Sequence, residues 1–427
     1  PICAIINSSV RQGAIPAEWK ISRVTPLPKC YPPKTIENDV RPISITNTIA
    51  KIAEKFVGQW FTDFFETHLD PNQFGATASR STTHALIKLT HQIFKASENS
   101  NNFIRIIFVD FTKAFDLIDH NVLLQKFIDY DFPPHLTIWS LTFLLDRQQF
   151  VKIGNLQSAL RVANAGTPQG TISGPNDFKL LINDLNFDLD YAKYVDDTTV
   201  LSVSLNPNDN SLQLAADHLV NWTSHNHMVV NESKTKEMLI YFGSSDKDLV
   251  PPILVNDLAI DRVTTFKLLG VIISSDLSWE EHVHYILGKA AKRMYCINYL
   301  VRAGISDKDI IIVYTSIIRS ILEYACPVWH PGLTAKQTKD IERVQKRCLK
   351  LIFPTLSYSE ALLLSGLEEL GIRRERITKE LFDEIKHENH VLHSLLPKRN
   401  PESLRTRNPY PYIISITKHT RFGRAFI

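Results

Sequence analysis

Residues 191–202 read YAKYVDDTTVLS. Two adjacent acids, Asp196 and Asp197, stand between two runs that read as strands. Neighbouring carboxylates repel, and Asp is disfavoured within strands. Two readings account for the pair. Asp is a common turn residue, so the stretch reads as a hairpin. Hard divalent cations gather carboxylate oxygens, so it also reads as part of a metal site. Further upstream, Phe103–Phe111 (FIRIIFVDF) is β-branched and aromatic, and reads as a buried strand with Asp110 near its end. If the two strands pair, three carboxylates meet at one sheet edge. Such a cluster is costly unless cations neutralise it. Two Mg²⁺ ions about 4 Å apart would do so, and would activate both oxygens of an in-line phosphoryl transfer. Phe115 follows Asp110 by five residues. It reads either as a core ring or as a ring against the sugar of an incoming nucleotide, where it would collide with a 2′-hydroxyl.

The chain has 427 residues, too many for one ordinary core, so two to four domains or subdomains are expected. A hydrophobic content of 44% fits a folded globular protein. No run of about 18 apolar residues is free of charge, so no transmembrane helix is expected. No secretory signal opens the chain. It begins at Pro1 in an apolar helical pattern and reads as a fragment of a longer product. The cysteines (Cys3, Cys30, Cys296, Cys326, Cys348) are widely spaced and odd in number, with no CxxC pair. That argues against a zinc or disulfide framework and for a reducing compartment. The pairs His225/His227 and His282/His284 have no cysteine partners at finger spacing. Net charge is +3 but uneven: residues 280–427 hold 24 Lys+Arg against 16 Asp+Glu. A basic C-terminal third suits a polyanionic partner, and equally a solvated helical surface.

Apolar periodicity predicts helices over Ile43–Phe65, Ser81–Phe94 (capped by Ser81 or Thr82), Lys113–Tyr130, Ile138–Leu145, Pro175–Leu185 and Ser211–Met228. Gln149–Ile153 and Ala159–Ala163 read as a hairpin, and Glu237–Phe242 as a strand. Ile253–Ile260 and Phe266–Ile273 read as another strand pair. From Glu280 to about Phe353 the pattern is helical. Strand–helix alternation giving way to helices predicts an α+β part followed by an α-helical part.

The motifs VDFTKAFDLIDH, GTPQGTISGP, YVDD and NESKT occur in one order. Together they resemble the reverse transcriptase domain of non-LTR (LINE-type) retrotransposons, of the jockey and chicken-repeat-1 kind. IPAEWKISRVTPLPK with RPISITNTIAKIAEKFV resembles that family's fingers, and QFGATASRSTTHAL its next block. FKLLGVIISSDLSW resembles the primer grip, and EYACPVWHPGL lies where the thumb would be. The resemblance implies a right-hand polymerase with fingers, a palm built on an antiparallel sheet, and an α-helical thumb. The boundaries it suggests are fingers 1–102, palm 103–245 with an inserted fingers segment near 130–174, primer-grip region 246–279, and thumb 280–353. Residues 354–427 form an extension without assigned role.

The resemblance also implies roles. Asp110, Asp196 and Asp197 would bind two Mg²⁺ ions, with Mn²⁺ as a substitute. Phe115 would be the steric gate that selects deoxynucleotides. Gln169 and Gly170 would lie near the templating base and the nucleotide, glycine permitting close backbone approach. Arg41 would contact the triphosphate, where a bidentate fork is useful. Lys29 is a second candidate for that contact. Lys234 would protonate the pyrophosphate leaving group, with Lys236 close by as a competing choice. Partners would be an RNA template, a DNA primer or nicked target DNA, and dNTPs. An endonuclease domain would lie elsewhere in the full-length product, which would act inside the cell, in nucleus and cytoplasm. The rival reading is a folded, non-catalytic nucleic-acid-binding relic. Several features depart from the family's habit, among them QFGATASRS, which lacks the aromatic usual after QFG and so implies weaker template contact in the fingers. Val195 replaces a common Ala and would press on the primer terminus, and Asn176 and Asp177 are polar where apolar residues are usual.

Overall fold

The run Phe103–Val109 is buried at every position, and the fold is organised around it. The computed structural model describes residues 1–244, 246, 249–398, 412 and 426. The N-terminal part comprises α1 (Ile2–Gln12), β1 (Ile21–Pro28), α2 (Ile36–Asp39), β2 (Val40–Ile45), α3 (Thr48–Phe65) and α4 (Thr82–Ala96). The middle comprises β3 (Phe103–Val109), α5 (His120–Asp129), α6 (Pro134–Leu144), β4 (Arg147–Ile153), β5 (Leu156–Gln157), β6 (Arg161–Ala163), α7 (Ser173–Ile182), β7 (Asp190–Tyr194), β8 (Asp197–Ser204), α8 (Ser211–His225) and β9 (Lys236–Ile240). Short strands follow: β10 (Leu254–Val255), β11 (Leu258–Ala259), β12 (Asp261–Arg262), β13 (Thr265–Leu268) and β14 (Val271–Ser274). The chain then turns helical: α9 (Glu280–Arg302), α10 (Asp307–Tyr314), α11 (Ser320–Glu323), α12 (Cys326–Trp329), α13 (Ala335–Ile352), α14 (Tyr358–Ser365) and α15 (Leu370–Ile385).

The palm sheet has the order β12-β9-β3-β8-β7. Its pairings are antiparallel except β12 with β9. Ile104, Ile106 and Phe108 face a core shared with α4, the β13–β14 hairpin and the C-terminal helices. Ile107 and Val109 face a second core with α5, α7 and α8. Burial on both faces is why β3 reads as one apolar run rather than an alternation. A separate fingers sheet joins β1 to β2 antiparallel and to β4 in parallel, which ties the segment after α6 back to the N-terminal part. The first core runs unbroken from the palm into α9 and α13, so the helical part is packed onto the palm through apolar contact.

Three expected elements fold otherwise. The helix read from Ile43 begins only at Thr48, because residues 40–45 pair with β1 and Asn47 caps the helix by accepting from Ile49 N–H at 2.8 Å. The Lys113–Tyr130 pattern is split: Lys113 has φ +46°, and α5 starts after Asp119, whose carboxylate accepts from the Asn121 and Val122 N–H groups. The runs Ile253–Ile260 and Phe266–Ile273 do not pair with each other. Each closes its own hairpin, around Asn256–Asp257 (φ +51° and +61°) and Leu269–Gly270 (φ +46° and +87°). Two-residue turns with both φ positive match strand twist, and short loops cost less entropy to close than a long-range pairing.

All five cysteines are free thiols. The stretch Asp307–Gly332 has the length and hydropathy of a membrane span by composition alone, although Arg319 and Glu323 interrupt its apolar run. It breaks at Ala325, which has φ +50°, and Ile310, Tyr314, Ile318 and Leu322 are buried in the thumb core. The tail Pro409–Ile427 lies outside the described residues apart from Tyr412 and Phe426.

Candidate active site

In the β3–β8 ladder Val109 stands opposite Thr198. One step further along each strand places Asp110 beside Asp197. The β7–β8 hairpin pairs Tyr194 with Asp197, leaving only Val195 and Asp196 as its loop. Val195 has φ +60° while Asp196 is not in the left-handed region, the pattern of a turn that suits strand twist. The turn and the carboxylate cluster are therefore one object. Asp110 is anchored from behind: its N–H donates to Thr235 Oγ1 at 3.2 Å, and its C=O accepts from Asn231 N–H at 2.7 Å.

Burial, then the charges of Asp196 and Asp110, push the Asp197 carboxyl up to about 6. Asp197 is also open to solvent along one side, so part of that effect is screened. Asp196 is raised by burial and by Asp110; a backbone hydrogen bond and the charge of Arg41 oppose the rise. Asp110 Oδ2 is buried and receives no hydrogen bond among the described residues. Lys234 Nζ stands 3.7 Å from that oxygen. Lys236, its rival, is committed elsewhere, to Asp261 at 2.5 Å and to the Ser233 carbonyl at 2.6 Å.

The donor set is all oxygen, like-charged and partly orphaned, which suits a hard divalent cation. Among the described residues no three acidic, His or Cys side chains close into a finished ligand cage. The carboxylates adjoin and repel without converging on a point. Their coupling, rather than a ready cage, marks the site.

The other implied residues form a wall beside the acids. Ser44 N–H of β2 donates to the Gln169 carbonyl at 2.8 Å, and Gln169 Nε2 donates to Asp116 at 3.0 Å. Gly170 has φ +104°, and a Cβ there would meet the Ser44 carbonyl at 3.1 Å. Thr167 N–H donates to the Phe115 carbonyl at 2.9 Å, so the GTPQG loop, strand β2 and the Phe115 loop are laced together. The Phe115 ring stacks on Phe178 at 5.1 Å and is only partly buried. Arg41 is exposed on β2 and acts electrostatically on Asp196. Lys29 directly follows β1, and its charge acts on Asp39.

Sequence reasoning left three buried groups without roles. Glu54 Oε2 accepts from the Ile172 and Ser173 N–H groups at 2.8 and 3.2 Å, capping α7 directly after the GTPQG loop. Asp177 is buried below the same loop, accepts from Thr167 Oγ1 at 3.3 Å, and is raised well above the usual range by burial. Lys193, fully buried in YAKYVDD, pairs with Asp70 at 2.7 Å and donates to the Ile182 and Leu185 carbonyls at 2.8 and 2.9 Å. Its only sequence signal was a Lys in an apolar strand. On α13, Lys336, Lys339, Arg343, Lys346, Arg347 and Lys350 are all exposed, while Ile341, Val344, Cys348 and Leu349 are buried. The helix thus offers one cationic face.

Two sheets laced at a carboxylate edge, with a basic helical bundle packed on the palm, define a right-hand polymerase fold. The chain belongs to the reverse transcriptase (RNA-dependent DNA polymerase) family, whose model matches residues 32–273, more than half of the chain. It is 25% identical over 420 residues to the probable RNA-directed DNA polymerase from transposon BS of Drosophila melanogaster, covering 93% of this chain and 46% of that protein. It is likewise 25% identical over 368 residues to the RNA-directed DNA polymerase from mobile element jockey of the same fly, covering 82% of this chain and 39% of that one. The chain spans less than half the length of these relatives. The apo telomerase structure from Candida tropicalis superposes with a TM-score of 0.48 at 11% identity, over 92% of this chain and 67% of that one.

Proposed function

We propose that this chain is the RNA-directed DNA polymerase of a non-LTR retrotransposon. In the proposed reaction a primer 3′-hydroxyl attacks the α-phosphate of a dNTP on an RNA template, and pyrophosphate leaves. The observation that carries the reading is the register that sets Asp110 beside Asp197, next to Asp196. Asp110, Asp196 and Asp197 would hold two Mg²⁺ ions, or Mn²⁺, which when bound supply Lewis-acid activation of the attacking and leaving oxygens. Arg41 would orient the triphosphate, with Lys29 as an accessory. Gln169 and Gly170 would shape the wall that receives the base pair, and Phe115 would face the sugar. Lys234 would deliver a proton to pyrophosphate.

Primer extension by the purified chain on an RNA template with Mg²⁺ tests this directly. DNA synthesis that disappears in Asp196→Asn with Asp197→Asn is expected. No synthesis would leave the relic reading in its place. Lys234→Gln should lower kcat about a hundredfold at unchanged dNTP KM. Lys236→Gln should change kcat less than threefold, because its charge is spent on Asp261. Equal losses would remove Lys234 from the proton-transfer role.

The RNA–DNA hybrid would be held by its backbone and shape. Lys339→Gln with Lys350→Gln on α13 should flatten the slope of log affinity against log salt by roughly 1 to 2. An unchanged slope would take this face out of the binding surface. The target-nicking endonuclease would be supplied by another part of a longer product. Intracellular action, nuclear and cytoplasmic, is part of the same proposal, and imaging of a tagged full-length product would check it.

A further inference from the structure

The turn that carries Asp196 and Asp197 is strained. A β-branched residue at φ +60° is an outlier, and Val195 occupies that place. Its N–H lies in a hairpin loop, where the ladder offers it no acceptor, so another group must supply one. That group comes from far along the chain. Gln73 Oε1 accepts from Val195 N–H at 3.0 Å and from Gly75 N–H at 2.9 Å. Gln73 is 1% exposed. Its segment runs beside β7 as an added short strand: Phe74 N–H donates to the Lys193 carbonyl, and Lys193 N–H to the Asn72 carbonyl, both at 2.8 Å.

Gly75 closes the grip. A Cβ there would lie 2.4 Å from Val195 N and 2.7 Å from the Tyr194 carbonyl carbon, so backbone meets backbone with no room for a side chain. The segment is itself held rigid. Arg80 donates to the Pro71 and Gln73 carbonyls at 2.8 and 2.7 Å, and Lys179 donates to the Ala76 carbonyl at 2.6 Å.

We infer that Gln73 and Gly75 are positioning residues that clamp the strained Val195 turn and thereby set the two catalytic carboxylates. The inference rests on the polymerase reading for its kinetic arm, and on cation binding alone for its other arm. The clamp matters here because Val195 resists the conformation it is held in. A glycine at 195 adopts positive φ without strain, and so needs the clamp less.

The test is a double-mutant cycle of Gln73→Met with Val195→Gly, since only coupled residues depart from additivity. Gln73→Met alone should lower kcat at least tenfold, raise the Mg²⁺ concentration for half-maximal synthesis severalfold, and leave dNTP KM within twofold. It should also weaken Mn²⁺ binding to the nucleic-acid-free chain severalfold, followed by electron paramagnetic resonance. In the Val195→Gly background the same change should cost less than threefold on each measure. Parental Mn²⁺ binding and kcat in Gln73→Met would overturn the clamp. So would losses that follow only a lowered Tm and are the same in both backgrounds. If Gln73→Met does not fold, Gln73→Asn, whose shorter side chain does not reach the Val195 N–H, carries the same measurements in both backgrounds. If the parent chain makes no DNA, the polymerase reading fails, and the Mn²⁺ comparison still decides the clamp.

Discussion

Asp197→Asn should abolish DNA synthesis and at the same time make the metal-free chain more stable. The two effects share one cause. Burial and the charges of Asp196 and Asp110 raise the Asp197 carboxyl to about 6 in the fold, against an ordinary value near 4 for a free aspartate. A raised acid binds its proton more tightly in the folded state than in the unfolded state. Stability therefore falls as pH rises from about 4 to about 6, and the penalty persists at neutral pH. Asn removes the charge and the repulsion. The variant should melt a few degrees higher at pH 7.5 and level with the parent below about pH 4, the size being moderated by the solvent on one side of Asp197. Adding Mg²⁺ should raise the melting temperature of the parent far more than that of the variant. Synthesis should fall about a thousandfold or more, since a lost cation ligand removes several kcal/mol of charge stabilisation. In the parent, synthesis at limiting Mg²⁺ should rise through about pH 6, and the rise should move to lower pH as Mg²⁺ increases, because proton and cation compete. A variant that still extends primers, or that melts below the parent at neutral pH without metal, would contradict this account.

Phe115→Ala should admit ribonucleotides. The ring is neither free nor fully sunk: it stacks on Phe178 at 5.1 Å and keeps an open side. Its carbonyl is fixed by Thr167 N–H, so the loop cannot simply swing away. A rigidly seated ring rejects a 2′-hydroxyl by collision, and rejection built from a clash is lost when the clashing atoms are removed. Single-nucleotide insertion with matched dNTP and rNTP should show discrimination falling about a hundredfold, mostly by faster rNTP insertion. Phe115→Tyr should keep it. Unchanged discrimination in the alanine variant would return Phe115 to a packing role. Some loss of stability is expected too, because the ring packs against the second core.

Much of this site was legible as local pattern. FIRIIFV and the runs flanking VDD carry strand chemistry, Ser81 marks the start of α4, and motif order led to the family. Other local signals were overruled. Residues 43–45, read as the start of a helix, instead pair with β1, since partner strands outweigh periodicity. NESKT alone does not separate Lys234 from Lys236; in the fold Lys236 pairs with Asp261 of β12, while Lys234 stands 3.7 Å from Asp110.

By itself the sequence determined which acids exist, that strands flank them, and that a glutamine and a glycine precede α4. Periodicity and turn chemistry act over a few residues, and such facts can be read along the chain. Only the tertiary structure decided that Asp110 lies in register with Asp197, that Arg105 is buried against Glu237 from 132 positions away, and that Gln73 reaches the N–H of Val195 across 122 positions. Buried polar groups must find partners wherever the fold brings them, and nothing in local spacing names those partners in advance.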